Sequence, residues 1–243
     1  MTHPPWPSNT WQIYSSDYDT AAANYGVKKA CEPVHAQLNL PDFTLTIANI
    51  SRIARNHLIL QTRIISLDNR LLAERVDSVS AAVNSVTTLA APDLQPALAR
   101  EALVLVKLTL TDSKGAKLSD NLYWQGRDAA SQRRLIDLRP QTIAVSVHAS
   151  RLGEDTRVEV LLKNRGRAPA LSVKITMLDE HGARVLPVYY DDNYVALLPG
   201  ESRRLGVLCP AGVARCAKVA LRGWNVVAGE LTVAPAMPGT AGL

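Results

Sequence analysis

Apolar and polar residues alternate with a period of two from residue 39 onward, and turn-forming residues break the alternation at short intervals. A period of two sends successive side chains to opposite faces of a β-strand, so a half-buried strand reads apolar, polar, apolar. Phe43, Leu45 and Ile47 alternate with Thr44 and Thr46, and His57 to Leu67 reads as a longer strand turned at Asp68-Asn69 into Leu71-Leu72. Val83 to Leu89 follows, closed by Ala91-Pro92. Leu103 to Leu110 sets Leu103, Leu105, Lys107 and Thr109 on one face and Val104, Val106, Leu108 and Leu110 on the other. Asp112-Ser113-Lys114-Gly115 then turns the chain into Leu118 to Trp124. Short strands at roughly 8–12-residue spacing predict an all-β sandwich.

Residues 127–140 are polar, carry Arg127, Arg133, Arg134 and Arg139, and read as a linker. After them the alternation restarts with Ile143, Val145 and Val147, then Val158, Val160 and Leu162, then Leu171, Val173, Ile175 and Met177. Val185 to Tyr190, Leu205 to Cys209 and Val219 to Leu221 complete about seven strands in roughly 95 residues, the immunoglobulin-like count. The predicted fold class is therefore all-β: two immunoglobulin-like β-sandwich domains in tandem, over 39–126 and 141–236, preceded by a short N-terminal helical segment. Residues 237–243 read as a flexible tail. Both halves contain an Asp-x-x-Gly turn (Asp112 to Gly115, Asp179 to Gly182) followed by an Asp-Asn-aromatic phrase, Asp120 to Trp124 and Asp191 to Val195. These read as corresponding hairpins of two related sandwiches.

Residues 1–38 differ. Thr20 to Lys29 has helical character and stops at Glu32-Pro33, where the residue before proline is pushed out of the α region. A helix of about ten residues cannot bury an apolar face alone. The expectation is that this segment folds back on the first sandwich or associates with a second copy. Trp6, Trp11, Tyr14 and Tyr18 form an aromatic cluster there, read as packing first and as a sugar-stacking platform second.

Little in the sequence points to chemistry. Lys and Arg give a net charge of +5 but are scattered, with no basic run that would track phosphates, so no nucleic-acid partner is expected. No stretch approaches the ~18 apolar residues of a membrane span, so no membrane partner is expected. Met1 to Pro7 lacks the basic-then-apolar pattern of a secretion signal, which leaves the compartment open. Cys31, Cys209 and Cys216 fit no zinc template; Cys209 and Cys216 read equally as a disulfide across a hairpin or as two buried thiols. His3, His35, His57, His148 and His181 fall in separate segments without ligand spacing, and no metal or cofactor is expected. Asp191-Asp192-Asn193 lacks the spacing of a calcium loop and reads as a turn. There is no Gly-x-Ser-x-Gly and no phosphate-cradling Gly-rich loop. Trp124 and Trp224 close strands and are expected to anchor the two cores.

Three phrases together resemble glycoside hydrolase family 2 enzymes of the exo-β-D-glucosaminidase and β-mannosidase type. They are Trp6-Pro7-Ser8 through Tyr14 with Tyr25 to Pro33, Asn121-Leu122-Tyr123-Trp124, and Leu186 to Glu201 with Arg222-Gly223-Trp224-Asn225. The resemblance implies that residues 1–38 are the last βα unit of a (β/α)8 catalytic barrel. It implies that the terminal sandwich is an exo-β-D-glucosaminidase immunoglobulin-fold domain, and that Trp6 stands at the rim of a sugar pocket. It further implies a retaining mechanism on two barrel glutamates, the acid/base one in an Asn-Glu pair. No Asn-Glu occurs in this chain, Glu32 belongs to the helix-ending phrase, and no catalytic residue is assigned. The implied function is a non-catalytic C-terminal portion of such an enzyme; the alternative is a stand-alone carbohydrate-binding or protein-interaction module. The implied partners are a catalytic barrel half, or a second copy through residues 1–38, and amino-sugar or mannose-containing glycans. Enzymes of this kind are often secreted or periplasmic.

Overall fold

The computed structural model describes residues 14, 15 and 18–234, and these divide into two units. One runs Val27–Leu138; the other joins the segment ending at Gly26 to the chain from Arg139 onward. The first unit holds β1 (Val34–Leu38), β2 (Leu45–Asn49), β3 (Arg55–Ser66), β4 (Leu71–Ala81), β5 (Ser85–Leu89), β6 (Leu103–Thr111) and β7 (Lys117–Gly126). They form two antiparallel sheets, β1-β2-β5 and β4-β3-β6-β7. Val34, Ala36, Leu38, Leu45 and Ile47 from the first sheet pack on Leu58, Leu60, Ile64, Val106, Leu108 and Leu110 from the second. This is the alternation read from the sequence, with the apolar set of each strand turned inward.

The second unit holds β8 (Ile143–Leu152), β9 (Asp155–Asn164), β10 (Ala170–Leu178), β11 (Tyr189–Tyr190), β12 (Val195–Leu197), β13 (Ser202–Cys209), β14 (Lys218–Gly223) and β15 (Val226–Thr232). Its sheets run β11-β13-β9-β8 and β12-β10-β14-β15. Val158, Val160, Leu162, Leu205 and Val207 face Val173, Ile175, Met177, Val219 and Leu221 across its core. The order repeats that of the first sandwich: β8, β9 and β13 stand where β1, β2 and β5 stand, and β12-β10-β14-β15 stand where β4-β3-β6-β7 stand. The tandem immunoglobulin-like architecture is thus present.

The repeat has a side-chain signature that the sequence reading missed. Asn49 ends β2 and Asn164 ends β9, and both are fully buried. The Asn49 carboxamide oxygen accepts the Ser51 N–H, and its nitrogen donates to the carbonyls of Ile53 and Ala81. Asn164 does the same with the Gly166 N–H and with Ala168 and Leu197. In each sandwich one asparagine ties its own loop to the end of the equivalent strand, β4 or β12, in the opposite sheet.

Four sequence expectations are corrected. The two Asp-x-x-Gly turns are alike: the Asp112 carboxylate accepts the N–H groups of Lys114 and Ala116, and Asp179 those of His181 and Ala183. They are not equivalent in position, because β10 takes the place of β3 rather than β6. An aspartate turn is satisfied by its own backbone and carries no topological information. The first sandwich begins with Val34–Leu38, ahead of residue 39. Within 127–140, Ala130–Asp137 is a 3-10 helix belonging to the first unit, with Asp128 accepting both the N–H and the hydroxyl of Ser131 at its start. Of Val185–Tyr190, only Tyr189–Tyr190 is strand.

Candidate functional site

The densest stretch of the sequence, Leu186 to Ser202, is spent on folding contacts. Val173 pairs with Val195, and continuing that register would set Ile175 opposite Asn193. The Asn193 side chain takes over there, accepting the Ile175 N–H and donating to the Ile175 carbonyl, both at 2.9 Å. The Tyr190 hydroxyl accepts the Met177 N–H at 2.9 Å, and burial pushes this phenol well above its ordinary pKa. Leu198 to Glu201 closes as a turn, with the Glu201 N–H donating to the Leu198 carbonyl and Gly200 at φ +83. Positive φ at the third residue of a turn led by proline is the type II requirement. The Asp192 carboxylate accepts the Asn193 N–H as a turn aspartate does, so this acidic run serves the backbone.

A second cluster is built around Lys174, which is 4% exposed on β10. Its ammonium meets the Asp19 carboxylate at 3.0 Å and lies 5.2 Å from the centroid of the Tyr194 ring. Arg184 reaches the same Asp19 oxygen at 3.1 Å. Thr20 shares a 2.6 Å hydrogen bond with the Tyr25 hydroxyl, and the Tyr25 and Tyr194 rings stand 6.0 Å apart. Burial raises the Tyr25 phenol above its ordinary pKa. Tyr25 belongs to α1 (Ala22–Ala30), the short helix expected from the sequence. Of the two expectations for this segment, fold-back on the first sandwich is corrected for the described residues up to Gly26, which group with the second sandwich. The reason is electrostatic: a lysine buried in β10 needs a carboxylate, and Asp19 supplies it.

The first unit has its own polar knot. Asp120 accepts Lys107 at 3.1 Å, Lys29 at 3.3 Å and Lys117 at 3.3 Å. Beside it Glu32 accepts the Ser119 hydroxyl at 2.7 Å and His35 at 3.2 Å. Burial alone would raise the Glu32 carboxyl, but the bonds from His35 and Ser119 and the nearby Lys29 hold it below its ordinary value of 4.5. A carboxyl depressed in the folded state adds stability above its unfolded value, and that stability is lost as pH falls through the folded value. The protein is therefore expected to weaken below about pH 4.5, and Glu32→Gln to flatten that loss, read from denaturant midpoints between about pH 6 and pH 3.

Trp6, the one sugar-contacting residue named from the sequence, lies outside the described residues, as do Trp11 and the tail over 237–243. Trp124 and Trp224 do not anchor the cores: Trp124, within β7, is 43% exposed, and Trp224, in the turn between β14 and β15, is 59% exposed. Asn225, not Trp224, is the buried anchor of that turn, bonding Leu171, Arg139 and Pro169. Cys209 and Cys216 form a disulfide, which resolves the open pair, and Cys31 is free and exposed. Among the described residues no group of three or more His, Cys, Asp or Glu is placed to hold a metal ion.

Fold and contacts define a tandem immunoglobulin-like β-sandwich protein with buried polar side chains bracing the inside of each sandwich. A family described as the exo-beta-D-glucosaminidase Ig-fold domain matches residues 121–226. The exo-beta-D-glucosaminidase of Amycolatopsis orientalis is 31% identical over 254 residues, a match spanning 93% of this chain and 24% of that enzyme. The crystal structure of the exo-chitosanase CsxA of the same organism superposes with a TM-score of 0.82 at 26% identity, covering 95% of this chain and 30% of that one. The mannosylglycoprotein endo-beta-mannosidase of Lilium longiflorum is 25% identical over 92% of this chain and 30% of its own length. The chain is thus similar to part of exo-beta-D-glucosaminidases and of a mannosylglycoprotein endo-beta-mannosidase, and spans about a quarter to a third of the relatives it matches.

Proposed function

We propose that this chain is a non-catalytic, structural portion of a family 2 glycoside hydrolase whose whole-protein activity is that of an exo-β-D-glucosaminidase or a β-mannosidase. One observation carries the reading: nearly the whole chain matches such enzymes, while the match takes up only 24% of the relative's length and contains no Asn-Glu pair. In this reading the residues ahead of β1 are the end of a (β/α)8 barrel, and their partner is the rest of that barrel or a second copy. The two sandwiches then serve as a scaffold, and Asp19, Tyr25 and Lys174 fix the barrel's end to it. Purified chain incubated with aryl β-D-glucosaminide and aryl β-D-mannoside is expected to release no aryl alcohol above a heat-inactivated control. Turnover above that control would refute the reading.

The exposed indoles of Trp124 and Trp224 favour one second reading, a module that binds amino-sugar or mannose-containing glycans by stacking. Calorimetric titration of the same preparation with chitosan and mannan oligosaccharides separates the two, a saturable heat supporting the module.

A further inference from the structure

At one end of the second sandwich the β8–β9 hairpin and the loop Pro210 to Arg215 enclose a pocket of about 340 Å³, open on one side. The Cys209–Cys216 disulfide, Ala149 and Val233 contribute its buried apolar lining. Arg151, Glu154 and Thr156 line it from the hairpin, and Arg215 from the loop. The loop is tethered: the disulfide joins its ends, the Ala211 N–H donates to the Asp155 carboxylate at 2.8 Å, and the Ala217 N–H donates to the Leu178 carbonyl. A pocket between tethered walls costs little ordering when a ligand enters.

Its charge is unspent. Among the described residues Arg151 and Arg215 make no ion pair, and the one acidic side chain in the lining, Glu154, is paired with neither. Arg70, Arg75, Arg184 and Arg204, by contrast, each hold a carboxylate at 3.1 Å or closer. Arg151 and Arg215 line one concave, partly apolar site from different elements, and guanidinium groups suit a planar oxyanion on an organic body. A volume near 300 Å³ sits at the small end of ligand sites, which suits one sugar ring.

We propose that this pocket binds a monosaccharide-sized organic carboxylate, a hexuronic acid being the type, with the carboxylate held by Arg151 and Arg215 and the ring over the disulfide, Ala149 and Val233. The site is independent of whether the chain is catalytic. Amide shifts of the isotope-labelled protein during titration with D-glucuronate test it, with D-glucose and sodium sulfate as parallel titrants. Saturable shifts confined to residues 149–156 and 209–216 are expected with glucuronate and not with glucose. The apparent affinity is expected to fall about tenfold or more in Arg151→Gln and in Arg215→Gln, the loss of one charge-assisted contact. Both arginines are exposed and without ion pairs, so neither variant endangers the fold. No saturation by about 10 mM glucuronate, a range in which even a weak site fills, overturns the proposal. So does binding that survives both substitutions. Sulfate binding as tightly as glucuronate overturns the organic part and leaves a bare anion site.

Discussion

Asn164→Ala is expected to lower the unfolding free energy of the second sandwich by about 2–4 kcal/mol, because one buried and two half-buried backbone groups lose their partner. The Asn164 carboxamide satisfies the Gly166 N–H and the carbonyls of Ala168 and Leu197 at 2.9 Å each, in a position with no access to solvent. Alanine leaves the Leu197 carbonyl buried and unpaired and strips the half-buried Gly166 and Ala168 groups of their partner, and its methyl cannot draw the Ala168 loop toward β12. Asn49→Ala tests the repeat in the first sandwich, where the Asn49 amide also reaches the Ala82 carbonyl. If the two asparagines are equivalent, each substitution destabilises its own unit, and urea denaturation followed separately in the two units shows it. A cost under about 1 kcal/mol at both sites would mean that water replaces the carboxamide.

Asp19→Ala should cost about 3 kcal/mol, the penalty for stranding a buried charge. The Lys174 side chain is only 5% exposed, and its ion pair with Asp19 spans 155 residues of chain. Arg184, 48% exposed, keeps its hydration and adds little. The diagnostic is the double variant: Lys174→Met in the Asp19→Ala background should recover most of the loss, because a buried methionine needs no counter-charge. A double-mutant cycle by denaturant titration measures the coupling. Additive losses would show that Asp19 acts through its turn, where its carbonyl accepts the Ser15 N–H, rather than through Lys174.

Most of the architecture was legible because it rests on local pattern. Leu103 to Leu110 declares a strand buried on both faces, and β6 is that strand, with Leu105 as inaccessible as Val106. β1 was hidden although Val34, Ala36 and Leu38 alternate, because Pro33 reads as the end of a helix and the strand is only 5 residues long. The repeat was sought in aspartate turns, the loudest local signal, whereas topology is marked by Asn49 and Asn164, whose partners lie up to 33 residues away. The Lys174 cluster was equally silent. A lysine between Val173 and Ile175 looks like the solvent face of a strand until Asp19 arrives from another segment. Trp124 and Trp224 were misplaced because a large aromatic beside an apolar run reads as core, whereas in the β14–β15 turn the buried residue is Asn225.

The segment carrying Asp19 and Tyr25 is translated long before its partner strand β10, and the whole first sandwich is made in between. At about 5–20 residues per second, the 155 residues from Asp19 to Lys174 take on the order of 10–30 seconds to synthesise. During that wait Asp19 and Tyr25 lack the contacts with Lys174 and Tyr194 that they make in the folded unit. The second unit therefore cannot complete its Asp19–Lys174 pair until β10 has been made, and a pause in translation before β10 prolongs the interval in which that pair is open.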